Sequence, residues 1–308
     1  MANPAKTGNM GISTVKANPN PGGGLTSKLR DYCTLTKPEV NLLILMATSA
    51  GYILGTPGTL LWGRFIHTMV GTLLVASGTA TLNQFLERVY DGRMRRTASR
   101  PLPQGRLNPG HALWFGILLS VAGGLELLIA VNALSAFLAV ATLLSYLLLY
   151  TPLKRKTPLC TVVGAIPGAM PTLIGWAGGA GRLEPRAGLL FAILFLWQFP
   201  HFLAIALMYR EDYERAGYKM LPSFDTKGRF TRVEILGFSM LLAAVTVGVA
   251  AHGSSSASLT GMTCLATFLL YCSLRLTQRG SRGEASRLLH ASVIYLPAVL
   301  AVLVSQKF

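Results

Sequence analysis

The sequence is poor in charged residues and in cysteine. Charged residues make up 13% of its 308 residues, whereas about a quarter is usual for a soluble domain. Four cysteines in a chain of this length do not make a disulfide scaffold, and no CxxC pair points to a zinc or redox site. A soluble domain, a disordered chain and a small secreted scaffold are therefore poor descriptions of this protein.

Long apolar segments are abundant instead. Hydrophobic residues make up 51% of the chain, and its mean hydropathy is +0.47. A bilayer span needs about 20 mostly apolar residues. We predict an all-α polytopic membrane protein with nine transmembrane helices, in which runs of small residues at 71–80 and 175–180 allow close helix packing. The spans are expected at 38–56, 60–82, 109–131, 133–150, 159–178, 187–208, 233–251, 257–274 and 288–306.

Basic residues outnumber acidic residues by 28 to 12, and their distribution predicts the orientation of the spans. The two alternating sets of flanking segments hold 24 and 4 Lys and Arg residues. Because cytoplasmic loops are rich in Lys and Arg, the N-terminus is predicted to be cytoplasmic and the C-terminus external. This explains much of the +16 net charge without a nucleic-acid partner. Residues 1–34 lack an apolar stretch and are predicted to be a disordered cytoplasmic tail, with the membrane domain at 35–308.

Polar residues collect after the second predicted span. Asn83, Glu87 and Asp91 follow one another at i, i+4 and i+8, so on a helix they form one polar ridge about 12 Å long. Oxygen ligands at this spacing suit Mg²⁺, which prefers one or two carboxylates together with substrate phosphates. A charged helix end whose arginines serve only topology is the alternative interpretation. The arginines that follow, whose forked guanidinium groups suit phosphate oxygens, are Arg93, Arg95, Arg96, Arg100 and Arg106.

A second cluster of acids, bases and tyrosines follows the sixth span, at 209–219. It lies on the same predicted side of the membrane as the first cluster, so both can converge on one diphosphate through a bridging metal. Glu211 and Arg215 also fit an ordinary i,i+4 surface pair. Lys154 and Arg155 belong to a third basic run on this side, for which a topology signal is the simpler explanation.

His201 stands inside the sixth span, directly after Pro200. An ionisable side chain within a membrane helix is costly and is by default a functional candidate. A hydrogen bond to a neighbouring helix is the alternative. On a continuous helix His201 would lie about 16 Å from Asp212, which is deeper in the membrane than a metal at the helix end.

Several ordered blocks of this sequence resemble the UbiA superfamily of intramembrane prenyltransferases, and within it the branch that farnesylates protohaem IX. The blocks extend from about residue 35 to residue 222. In the second motif Tyr209 and Tyr213 stand where the superfamily usually has aspartates, and the haem branch shares this tyrosine-rich form. The blocks are Leu35-Thr36-Lys37-Pro38, the run from Asn83 to Pro103, Tyr150-Thr151-Pro152-Leu153-Lys154-Arg155, the run from Gly164 to Pro171, Trp197-Gln198-Phe199-Pro200-His201-Phe202, and the run from Tyr209 to Pro222.

This resemblance implies a nine-helix enzyme that ionises farnesyl diphosphate with Mg²⁺ and adds the farnesyl group to a vinyl group of haem b. The implied partners are farnesyl diphosphate, haem b, the lipid bilayer, and a haem A synthase or oxidase assembly factors; the implied location is the bacterial cytoplasmic (inner) membrane. The implied metal ligands, which are also catalytic residues, are Asn83, Glu87, Asp91 and Asp212. Tyr209 and Tyr213 are the further catalytic candidates. The implied substrate-binding residues are Arg93, Arg96, Arg100, Lys154, Arg155 and His201.

Two other functions fit parts of the sequence. A prenyltransferase for an aromatic or quinone precursor uses the same chemistry, but the block from Trp197 to Phe202 and the tyrosines of the second motif argue against it. A transporter would explain nine spans and charged loops. It predicts ionisable groups near the bilayer midplane, whereas the charged residues here collect at helix ends.

Overall fold

The computed structural model describes residues 24–225, 227–251 and 255–307. Across these ranges the chain folds into helices without a strand, and nine helical segments are long and apolar enough to cross a membrane. The predicted all-α membrane architecture with nine spans is confirmed. The α-helices are α1 (Leu25–Thr36), α2 (Pro38–Gly55), α3 (Trp62–Asp91), α4 (Pro109–Ala130), α5 (Ala133–Leu144), α6 (Thr151–Leu153), α7 (Cys160–Ala180), α8 (Pro185–Met208), α9 (Arg210–Ala216), α10 (Leu221–Phe224), α11 (Arg229–Ala251), α12 (Ser256–Arg279) and α13 (Arg282–Ser305).

Proline begins several of these helices. Pro38, Pro109 and Pro185 each occupy the first turn, where a missing N–H costs nothing because that N–H has no partner within the helix. Asn108 adds a cap before α4, since its side-chain oxygen accepts the Gly110 N–H at 2.8 Å. These signals are readable from the sequence and explain why the observed helix starts lie close to the predicted ones.

The expected disordered tail is wrong over 25–34. These residues belong to α1, which packs on the membrane domain through the buried Leu35 and through Tyr32, whose ring meets that of Phe115 at 5.0 Å. Asp31 also pairs with Arg106 at 3.1 Å. The helix is stabilised by contacts with residues far along the chain, which the local composition does not reveal. Residues 1–23 of the predicted tail lie outside the described residues.

Glycine allows the backbones of α2 and α7 to touch. A Cβ atom at Gly175 would lie 1.9 Å from the Thr48 carbonyl oxygen, and one at Gly51 would lie 2.2 Å from the Thr172 carbonyl oxygen. A real Cβ atom cannot lie so close to an oxygen, so the two backbones approach this closely only because both residues are glycines. The close packing expected for the small residues at 175–180 is therefore confirmed, and the backbone of α2 lies directly against that of α7.

Two irregular segments determine where polar residues face. The fourth span does not end as a regular α-helix: residues Ser145–Tyr150 form a π-helix between α5 and α6, a local widening that often occurs at functional sites. After the sixth span, α8 ends at Met208 and α9 begins at Arg210. His201 and Asp212 thus lie on different helices, so the 16 Å estimate for a continuous helix does not apply.

Candidate active site

The ridge of Asn83, Glu87 and Asp91 lies on the last turns of α3, which continues nine residues beyond the predicted span. The three residues are buried, with 1%, 6% and 1% of their surface exposed. Burial of two carboxylates costs free energy unless each is paired with a charge or hydrogen-bond donor. The side chains around the ridge therefore decide what it can bind.

Each ridge residue contacts a basic side chain from another part of the chain or from the loop that follows α3. These cations neutralise the carboxylates and at the same time surround the ridge with positive charge. Asn83 also donates to the Thr151 hydroxyl at 3.3 Å. The three contacts are Lys37 Nζ with Asn83 Oδ1 at 3.3 Å, Lys154 Nζ with Glu87 Oε1 at 2.9 Å, and Arg100 Nη1 with Asp91 Oδ2 at 2.7 Å. At this end of the bundle each ridge residue thus has a buried oxygen that is paired with a cation.

Lys37 was not among the residues predicted for the site. It lies between α1 and α2 in the left-handed region, with φ at 52°, an uncommon conformation for a residue other than glycine. Burial, reinforced by the charges of Arg100 and Lys154, lowers the pKa of Lys37 to about 8. The sequence signals for this residue are its position directly before the proline that begins the first span and its place in the block Leu35-Thr36-Lys37-Pro38.

Lys154 is surrounded by tyrosine rings. Its Nζ lies 4.4 Å from the ring centroid of Tyr150, 5.9 Å from that of Tyr218 and 6.0 Å from that of Tyr146. The π-helix brings Tyr146 and Tyr150 to this position, since both belong to it. Burial opposes the charge of Lys154, but the Glu87 carboxylate with its hydrogen bond and the hydroxyl groups of Tyr150 and Tyr146 together outweigh burial and raise the pKa of the lysine. The surroundings are thus suited to a cation.

The second cluster meets the loop that follows the ridge at Arg96. The Arg96 backbone N–H donates to Asp212 Oδ2 at 3.2 Å, and its guanidinium group donates to the Tyr213 hydroxyl at 3.4 Å. The same guanidinium lies 5.2 Å from the ring centroid of Tyr209. The other oxygen of Asp212 pairs with Arg215 at 3.4 Å. Residues from both predicted clusters therefore come together, as their common side of the membrane suggested.

Arg93 and Arg155 both lie against the ring of one tyrosine, Tyr90. The guanidinium groups are 5.6 Å and 4.8 Å from the ring centroid of Tyr90, and Arg155 also donates to the Tyr90 hydroxyl. Tyr90 in turn approaches Tyr218, with 6.0 Å between ring centroids. These two of the predicted substrate-binding arginines are thus connected to the aromatic groups beside Lys154, whereas the ridge carboxylates pair with Lys154 and Arg100.

The described residues offer no complete metal site. Within these ranges no group of three or more His, Cys, Asp or Glu side chains is placed to hold a metal ion, and Asp212 is paired with Arg96 and Arg215. Two carboxylates and one amide at the end of α3 nevertheless suit Mg²⁺, which takes one or two protein carboxylates and completes its shell with water and substrate phosphates. The donor set fits a metal that arrives with a phosphorylated substrate.

His201 contacts Ser292 and Trp197 rather than the ridge. Its Nδ1 is 2.9 Å from the Ser292 hydroxyl of α13, and its ring stacks on Trp197 at 4.5 Å. Trp197 donates to the Ser292 carbonyl at 2.7 Å. The hydrogen bond between helices that was the alternative for this histidine is therefore present, through one of the two ring nitrogens.

Comparison with known proteins places this geometry in a family. The model of the UbiA prenyltransferase family matches residues 44–295. The Protoheme IX farnesyltransferase of Solibacter usitatus is 48% identical over 289 residues, which are 91% of this chain and 99% of that protein. The protein of the same name from Koribacter versatilis is 40% identical over 299 residues, which are 93% of this chain and 96% of that protein.

Solved structures share the fold at low sequence identity. Digeranylgeranylglyceryl phosphate synthase superposes with a TM-score of 0.74 and 17% identity, covering 91% of this chain and 99% of that chain. A UbiA homolog from Archaeoglobus fulgidus bound to DMAPP and Mg²⁺ gives a TM-score of 0.63 and 16% identity, covering 89% of this chain and 99% of that chain. With nine candidate spans in the described part of the chain, a buried ridge at the end of the second, and a family match over most of its length, the chain belongs to the UbiA prenyltransferase family.

Proposed function

We propose that this protein transfers the farnesyl group of farnesyl diphosphate to a vinyl group of protohaem IX, forming haem O and releasing diphosphate. The observation that carries the proposal is the set of buried oxygens at the end of α3, each paired with a cation. It provides ligands for a metal and, beside them, cations for phosphate oxygens. The choice of haem as acceptor is supported by the names of relatives that are 48% and 40% identical over more than nine-tenths of this chain.

The ridge and its basic partners take the diphosphate end of the substrate in this proposal. Glu87, Asp91 and Asn83 would hold Mg²⁺, with Asp212 of α9 as a further ligand, and a bound Mg²⁺ would supply charge neutralisation for the leaving diphosphate. The structure of the Archaeoglobus fulgidus homolog bound to DMAPP and Mg²⁺ supports such metal dependence. The cations that pair with the ridge, together with Arg93, Arg96 and Arg155, bind phosphate oxygens. They are pre-positioned, so little reorganisation accompanies the departure of the diphosphate.

The tyrosines beside Lys154 suit the next stage. As the bond from C1 of the farnesyl group to oxygen breaks, positive charge develops on the allylic carbons, and aromatic faces within about 6 Å stabilise such charge. The vinyl group then forms a bond to C1, and water adds to the resulting haem-side cation with loss of a proton. Tyr146 and Tyr150 also limit the access of water to the allylic cation, which water would otherwise hydrolyse.

The product of the enzyme tests this function directly. Membranes that contain the full chain, farnesyl diphosphate, haem b and Mg²⁺ are expected to yield a haem carrying one hydroxyethylfarnesyl group, detected by mass spectrometry of extracted haem. Membranes without the chain provide the background. A prenylated aromatic acid or quinone precursor, with haem unchanged, would replace this proposal with the other prenyl transfer considered above. A haem A synthase or oxidase assembly factor as recipient of haem O stays a prediction.

His201 is proposed to contribute to haem binding through its second ring nitrogen. His201→Ala is expected to weaken haem binding, seen as loss or shift of the Soret band of the purified protein, while the binding of farnesyl diphosphate survives. Ser292→Ala is the matched control, because it removes the hydrogen bond at 2.9 Å and keeps the imidazole. If both variants lower thermal stability equally and both bind haem as the parent does, the role of His201 is only structural.

The protein is an integral multi-pass membrane protein, and we propose the bacterial cytoplasmic membrane with the N-terminus in the cytoplasm. The 24 to 4 division of basic residues supports this orientation. A reporter inserted at Gly228 is expected to read as cytoplasmic and one fused after Phe308 as external. Two reporters that read the same side would contradict the alternating order of the nine spans.

A further inference from the structure

A second collection of arginines lies where α11 begins and where α12 meets α13. Arg275 and Arg279 lie near the end of α12, and Arg282 and Arg287 lie near the start of α13. Arg232 of α11 approaches the turn between them, since a Cβ atom at Gly280 would lie 2.7 Å from its Nη1. The order of the spans puts this end of the bundle on the same side of the membrane as the candidate active site.

One carboxylate forms ion pairs with three of these arginines. Glu284, whose side chain is 5% exposed, pairs with Arg287 at 3.0 Å, Arg275 at 3.3 Å and Arg279 at 3.5 Å. A single negative charge does not neutralise them. The Nε atoms of Arg275 and Arg232 are moreover buried without a hydrogen-bond acceptor in the described part of the chain, although buried donors are nearly always satisfied. The cluster therefore retains positive charge and hydrogen-bonding capacity for an anion.

An apolar groove extends from this cluster along α12. Thr263, Thr267 and Tyr271 recur every four residues and lead to Arg275, so they share one stripe of the helix about 18 Å long. The Tyr271 hydroxyl accepts a hydrogen bond from Arg275 at 3.1 Å, which joins the groove to the cluster. The groove faces away from the bundle, because the Phe268 and Tyr271 side chains are more than half exposed. The lining residues are Thr263, Cys264, Thr267, Phe268 and Tyr271.

We propose that this stripe binds an anionic phospholipid of the surrounding membrane. The phosphate lies at Arg275, Arg279 and Arg287, and one acyl chain lies in the groove. Three features favour a lipid: the groove opens toward the bilayer, the cations lie at the end of a membrane helix where headgroups are found, and their charge complements a phosphate diester. The site is separate from the ridge, since α12 packs chiefly against α11 and α13, and the proposal does not depend on the transfer reaction.

Lipid selectivity of the purified full-length protein tests the proposal. Native mass spectrometry is expected to show phosphatidylglycerol bound in preference to phosphatidylcholine with the same acyl chains. The double variant Arg279→Gln/Arg287→Gln is expected to weaken phosphatidylglycerol binding about 25-fold, since each arginine near an anionic membrane surface contributes a factor of about five. Both side chains are more than half exposed, at 58% and 67%, so the variant is expected to fold.

Two further variants separate the contributions of charge and groove. Arg182→Gln/Arg186→Gln removes two exposed arginines from the other side of the membrane and is expected to leave lipid selectivity unchanged. Thr267→Trp fills the groove without altering charge and is expected to weaken phosphatidylglycerol binding. Equal binding of the two lipids, or a double variant at 279 and 287 that binds like the parent, would overturn the proposal. Displacement of phosphatidylglycerol by an equal concentration of farnesyl diphosphate would overturn it in favour of a prenyl diphosphate site.

Discussion

Asp91→Asn is expected to slow farnesyl transfer by roughly a thousandfold, because a metal held at a site of charge separation contributes several kcal/mol and each 1.36 kcal/mol is a factor of ten in rate. Asparagine retains the size of the side chain and an oxygen that can accept the 2.7 Å hydrogen bond from Arg100. The fold is therefore expected to survive, while the negative charge that binds Mg²⁺ is lost. The rate of haem O formation in membranes that contain Mg²⁺ measures the effect.

Glu184→Gln is the matched control for this substitution. Glu184 also forms an ion pair at 2.7 Å, with Arg182, but the two side chains are 34% and 77% exposed and lie on the other side of the membrane from the ridge. Such surface pairs contribute little, so the rate is expected to stay that of the parent. Equal rates for the parent and for a well-folded Asp91→Asn protein would remove the ridge from the metal site and leave only its role in neutralising Arg100.

Gly175→Ala is expected to destabilise the membrane domain by about 3 kcal/mol, the upper part of the usual range for overpacking. The added methyl group would meet the Thr48 carbonyl oxygen at 1.9 Å. A backbone atom cannot move aside by changing rotamer, so α2 and α7 must separate along their contact. We expect a large fall in the thermal midpoint and in the yield of monodisperse protein after size-exclusion chromatography in detergent.

Gly188→Ala controls for the effect of alanine in a membrane helix. Gly188 lies within α8, and a Cβ atom there meets nothing within 4 Å. Alanine has the higher helix propensity, so stability is expected to be unchanged or slightly raised. Equal thermal midpoints for the two variants would contradict the direct backbone contact between α2 and α7.

The spans and the ridge were predictable because both follow from local patterns. A membrane helix must satisfy its own backbone and present apolar side chains to lipid, so its position depends on about 20 consecutive residues. The ridge follows from helical geometry alone, since Asn83, Glu87 and Asp91 recur every four residues. The ends of the helices were predicted less accurately than their positions. The second span was predicted to end at residue 82, whereas α3 continues to Asp91, because polar residues near a helix end are tolerated where other side chains pair with them.

The partners of the ridge were beyond the reach of these patterns. Lys37 reaches Asn83 across 46 residues, Lys154 reaches Glu87 across 67, and Arg96 reaches Asp212 across 116. The predicted spans and basic loops place these residues on one side of the membrane, but they do not indicate which side chains are in contact. The resemblance accordingly implied Lys154 as a substrate-binding residue and Asp212 as a metal ligand, but it did not imply Lys37 as a neighbour of the site.

Helix breaks and buried hydrogen bonds were also decided by the packed structure. The interruption at Tyr209 turns α9 so that Asp212 accepts from Arg96, and the pairing of His201 with Ser292 depends on the contact of α8 with α13. The α1 helix forms although its local composition resembles a disordered tail, because Leu35 and Tyr32 pack against distant residues.

The sequence by itself determined the membrane class, the nine spans and the polar ridge, since hydropathy and helical periodicity act over short stretches of chain. Only the tertiary structure decided which cation neutralises which ridge oxygen, which tyrosine rings surround Lys154, and which arginines gather at Glu284. These contacts join helices that are distant in sequence, and their geometry depends on how closely the helices approach. That approach is set by pairs of glycines and carbonyl oxygens whose partners cannot be assigned before the helices pack.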